Sequence, residues 1–99
     1  MSSHVTSTTQ MFDFIRRCRE VGLKHHLHKV VDSAILAEET RMSLARAKNN
    51  NGDIHGAKIT FREHYKSYNE HVHKLNDVCR THRIHPPVYG MLDILNVFA

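Results

Sequence analysis

Met11, Phe14, Ile15 and Cys18 fall at i, i+3, i+4 and i+7, the spacing of one buried helical face. Thr8 or Thr9 is placed to cap that helix, since a hydroxyl there accepts an orphan N–H of the first turn. Gly22 supplies its end, because glycine enters the left-handed region without a Cβ penalty. A second helix is expected from about Lys24 to about Lys48. Its apolar arc holds Leu27, Val30, Val31, Ala34, Ile35, Ala37, Met42, Leu44 and Ala45, with Leu36 and Ala47 on the opposite side. An arc covering roughly half the circumference contacts more than one neighbour.

Asn49, Asn50, Asn51 and Gly52 combine residues that tolerate left-handed backbone, and Asp53 follows as an N-cap. They predict a tight turn between two long antiparallel helices. In the third helix Ile54, Ala57, Phe61, Tyr65, Tyr68, Val72, Leu75 and Cys79 recur at steps of three and four. A seam sustained over about four heptads excludes β-structure there. His85-Pro86-Pro87 is expected to end the helix, because the residue before proline is pushed out of the α region. The result is a rod of about 45 Å. The last segment, Val88 to Ala99, is almost wholly apolar and predicts a short helix that must dock.

These elements give an all-α fold: a long antiparallel helical hairpin with short N- and C-terminal helices. Residues 1–8 are expected to form a disordered polar tail, and 9–99 a single helical domain. The hairpin is longer than a compact chain of this size is wide, given a radius of gyration of about 13 Å. The short helices cannot cover it all, so apolar surface is left over. Pairing two hairpins into a four-helix-bundle-type homodimer would bury that surface. A monomer with both short helices over one face is the alternative.

Composition narrows the class. Apolar residues make up 40% of the chain and charged ones 24%, which argues against wholesale disorder. No run is long enough to span a membrane, and MSSHVTSTTQ lacks the features of a signal peptide. Cys18 and Cys79 match no zinc or disulfide framework and are read as reduced, in an intracellular, cytoplasmic setting. Fourteen Lys and Arg against ten Asp and Glu give a net charge of +4, with ten His able to add to it on acidification. Such a balance favours anionic partners.

The polar side of the third helix carries the sharpest pattern. Lys58, Arg62, Lys66, Asn69, His73, Asn76, Arg80 and Arg83 share one sector beside the seam, and no acid falls within it. Glu63, Glu70 and Asp77 form a stripe of their own, read as lying on the far side. A cationic row of about 37 Å matches one turn of duplex. Cations hold phosphates through charge and counterion release, while Asn adds directional donors. Arg16, Arg17 and Arg19, with Lys24, His25, His26, His28 and Lys29, would extend the surface at one end. The competing explanation is an ordinary solvated helix face. The aromatics fall mainly on the seam, so readout of duplex shape is favoured over stacking on unpaired bases.

Other chemistry has weaker support. His28 with Asp32 and His73 with Asp77 are both H-x-x-x-D, but the pairs point outward and apart, and Glu70 with His73 gives a single E-x-x-H. Neither a metal nor any other cofactor is expected. Glu38, Arg41, His64 and tyrosine hydroxyls are expected to meet in a half-buried cluster that fixes register. No catalytic motif is present, so an enzyme is not expected.

The sequence therefore points to a non-enzymatic protein that grips the backbone of double-stranded RNA or DNA, such as a viral or accessory protein that sequesters duplex. The alternative is a small protein-binding adaptor or inhibitor docking through Leu36, Met91, Leu92, Leu95 and Phe98.

Overall fold

The computed structural model describes residues 7–98 of the chain. It is all-α: α1 (Thr8–Glu20), α2 (Lys24–Asn49), α3 (Ile54–Thr81) and α4 (Met91–Phe98). Helices α2 and α3 form the long antiparallel hairpin, and α4 packs on α2 and on α1.

The helix ends follow local chemistry, with some shifts from expectation. Ser7, not Thr8 or Thr9, caps α1: its hydroxyl accepts from the Gln10 N–H at 3.1 Å, and its own N–H donates to the Gln10 side chain at 2.8 Å. Ser at the cap with Gln three residues on is a capping box, so helix begins inside the segment expected to be tail. The rest of that segment, residues 1–6, lies outside the described residues. Gly22 takes φ +83° as expected. In the hairpin turn the left-handed residue is Asn51, at φ +54°, rather than Gly52. Asp53 caps α3 by accepting from the Gly56 N–H at 2.9 Å.

Helix α3 stops at Thr81, before the proline pair comes into play. Arg83 enters the left-handed region at φ +60°, and the Ile84 N–H returns to the Cys79 carbonyl at 2.9 Å. The same closure ends α1, where the Leu23 N–H reaches the Cys18 carbonyl at 2.8 Å. Both are Schellman motifs, each with a buried apolar side chain just past the helix. The final helix begins at Met91, after the Gly90 N–H has bonded the Asp93 carboxylate at 2.8 Å.

The core occupies one half of the hairpin. Met11, Phe14, Ile15 and Cys18 of α1 close on Leu27, Val30, Val31, Ala34 and Ala37 of α2, Tyr68, Leu75 and Cys79 of α3, and Ile94 of α4. The four α1 positions are those read from the spacing. Buried side chains of α2 end at Ala37, and those of α3 begin at Tyr68. Every residue from Arg41 to Ser67 is exposed or half-buried. The molecule is thus a four-helix base from which a two-helix arm projects. Its extents are 47 × 33 × 22 Å and its radius of gyration 15.2 Å, more elongated than the compact value of about 13 Å.

The arm alters the reading of α2. Met42 and Ala45, placed in the apolar arc, are exposed on the arm, and Ile35 is exposed on the base, whereas Ala47 is half-buried rather than on the outer side. No helix among the described residues is long and apolar enough to cross a membrane.

Candidate nucleic-acid interface

The cationic row divides at the junction of arm and base. On the arm, Lys58, Arg62 and Lys66 are exposed and make no ion pair among the described residues. They lie one turn apart, about 6 Å between successive positions. Regular α3 geometry stacks them on one face, which is exposed. Tyr65, assigned to the seam, is instead 42% exposed beside them. Its ring stacks with Phe61 at 5.6 Å and with Tyr68 at 6.1 Å, a ladder running from arm into core. The heptad pattern concealed this exposed ring next to the cations.

Toward the base the row weakens. Asn69 and Asn76 are half-buried, and Asn76 lines a groove with Arg80 and the Pro86–Tyr89 segment. Arg80 bonds Asp77 at 3.3 Å. Asp77, the last member of the acidic stripe, thus reaches the row at i, i+3 spacing. His73 remains exposed. Arg83, exposed, belongs to the Schellman turn rather than to the helix, so the helical part of the row spans Lys58 to Arg80, about 33 Å.

The α1 arginines differ from one another. Arg16 is held by Asp13 at 2.5 Å and by Glu20 at 2.6 Å, which neutralise it. It is no free phosphate ligand, contrary to expectation. Arg17 is exposed and lines a groove of about 260 Å³ with His85, Gln10 and Asp13. That groove brings α1 beside the segment that follows α3. Arg19 lies over the Phe98 ring at 5.7 Å, fastening α1 to α4.

The first turn of α2 adds to this basic end. It contains no acid and has no side-chain cap, and Lys24 and His25 stand exposed at the positive pole of the helix. His26 is half-buried, and its pKa is lowered by burial, by His25, and by Lys74 and Lys29. Lys74 was missed from the sequence. Only antiparallel register, setting residue 74 opposite residue 26, reveals it.

The remaining candidates separate. His28, Asp32, His73 and Asp77 are all exposed, and among the described residues no three His, Cys, Asp or Glu side chains converge on a metal position. Arg41 pairs with Glu38 within α2, leaving Glu38 Oε2 buried and unbonded. The expected cluster with tyrosine hydroxyls does not form, since Tyr68 Oη is buried without a hydrogen-bond partner. Burial pushes the Tyr68 phenol up to about 12. Of the residues proposed for protein docking, Leu36 and Leu92 are exposed, at 47% and 60%. Met91, Leu95 and Phe98 pack against the core.

Comparison with family models, curated proteins and solved structures finds no match for this chain.

Proposed function

We infer that this protein binds the backbone of a nucleic-acid duplex, RNA or DNA, without doing chemistry on it, and acts by sequestering that duplex in the cytoplasm. One observation carries the reading: Lys58, Arg62 and Lys66 project from the exposed arm at one-turn spacing, with no carboxylate among the described residues holding them. A row pre-set on a capped helix meets phosphates without ordering a loop first. Arg17 and His85, in a groove they share with Asp13, and exposed Arg83, Lys24 and His25 add further basic side chains on the base.

Self-association fits the same arm. Met42, Ile59 and Tyr65 are exposed on a two-helix segment that has no buried side chain. Two arms packed together would form a four-helix core and present two cationic rows related by a two-fold axis.

The salt dependence of binding to a short duplex tests both statements. Three neutralised phosphates predict an affinity loss of about 40-fold between 50 and 200 mM salt, and six, from a dimer, about 10³-fold. Salt-insensitive association would instead favour the adaptor reading, for which exposed Leu36 and Leu92 are the support. It would then be abolished by Leu92→Asp.

A further inference from the structure

Among the grooves, charged clusters, apolar faces and buried polar groups of this molecule, one juxtaposition has no part in the proposed interface. The Sγ atoms of Cys18 and Cys79 lie 3.5 Å apart in the core, although 61 positions separate them in sequence. Both cysteines are free, and both are fully buried.

Their backbones are fixed in matching ways. Each cysteine is the residue whose carbonyl closes a Schellman motif, Cys18 accepting from Leu23 and Cys79 from Ile84. The two helix ends thus hold the sulfurs face to face. A disulfide bond is about 2.05 Å long, so about 1.5 Å remains to close, shared between two side chains.

We propose that Cys18 and Cys79 form a reversible intrachain disulfide, by exchange with a low-molecular-weight disulfide of the glutathione type, that staples the end of α1 to the end of α3. One cysteine thiolate attacks the external disulfide, forming a mixed disulfide and expelling one thiolate. The other cysteine thiolate attacks the protein sulfur of that mixed disulfide and expels the second. The cysteine pair loses two electrons, the external disulfide gains them, and the two cysteine protons end on the released thiols.

The surroundings set the rate. Burial pushes Cys18 up to about 12 and raises Cys79 as well, so thiolate is scarce while the core is closed. Exchange therefore requires α1 to lift away, or takes place before the core has closed. The bond closes a long loop, which favours the oxidised fold through the entropy of the unfolded chain.

The test is to refold the full chain with excess oxidised glutathione, alkylate remaining thiols, and measure intact mass and melting temperature. The expected product resists alkylation, has lost the mass of two hydrogens, and melts at least about 10 °C above the reduced chain. In the native state the same oxidation is slow, and a mild denaturant accelerates it. Cys18→Ala and Cys79→Ala each abolish the shift. If either variant fails to fold, the wild-type mass and melting point decide alone. Retention of both thiols, mixed or intermolecular disulfides only, or an oxidised form that melts no higher than the reduced one would overturn the proposal. None of these outcomes bears on nucleic-acid binding.

Discussion

Lys74 of α3 and His26 of α2 lie close enough across the hairpin for the lysine charge to help lower the imidazole pKa. Burial is the larger cause, with the neighbouring charges adding to it. The folded pKa lies below the ordinary 6.5, so between the two values the unfolded chain holds more protons than the folded one. Stability contributed by neutral His26 is thus present above pH 6.5 and falls as pH drops through the folded pKa. Lys74→Gln should move the His26 titration partway back toward 6.5, followed by the ring proton shifts in NMR. An unchanged midpoint would mean that burial, with His25 and Lys29, sets it without Lys74.

The division into base and arm predicts uneven protection. Ile94 and Leu75 are fully buried in the base, whereas Phe61 on the arm is half-buried. Ile94→Ala should cost roughly 2–5 kcal/mol in denaturant unfolding, and Phe61→Ala well below that range. Amide exchange along the helix interiors should be faster in residues 54–67 than in 68–81, since only the latter stretch is backed by a core. Equal protection throughout α3 would point to arms already paired in solution.

The two Schellman turns make opposite predictions. At Gly22, φ is +83° and a methyl group would meet nothing within 4 Å, so Gly22→Ala isolates the backbone cost. A loss of about 1–2 kcal/mol is expected. Arg83 occupies the equivalent place after α3 with a side chain attached, at φ +60°. Arg83→Gly should leave stability unchanged or raise it by up to about 1 kcal/mol, while weakening duplex binding. Thermal melts of both variants check the signs.

Much of this architecture was legible because periodicity reports burial. The spacing of Met11, Phe14, Ile15 and Cys18 named the buried face of α1, and Asn49–Asp53 located the turn. Periodicity does not say how far along a helix its neighbours extend, so Met42 and Tyr65 looked like core although they lie beyond the buried part of the hairpin. Nor does it reveal which cations are spoken for. Arg16 and Arg80 share helical spacing with acids of their own helix, and only side-chain geometry shows the pairs formed. The Cys18–Cys79 contact and the Lys74–His26 pairing join residues remote in sequence. They become visible only once the helices are placed.

The decisive measurement is the affinity of the triple charge reversal Lys58→Glu, Arg62→Glu, Lys66→Glu for a duplex of about two helical turns at 50 mM salt, with helicity followed alongside by circular dichroism. All three side chains are exposed, so the fold should survive. Unchanged helicity is expected, with binding reduced at least about 100-fold and a shallower salt dependence in what remains. Binding that persists at wild-type strength in the folded variant would contradict this reading.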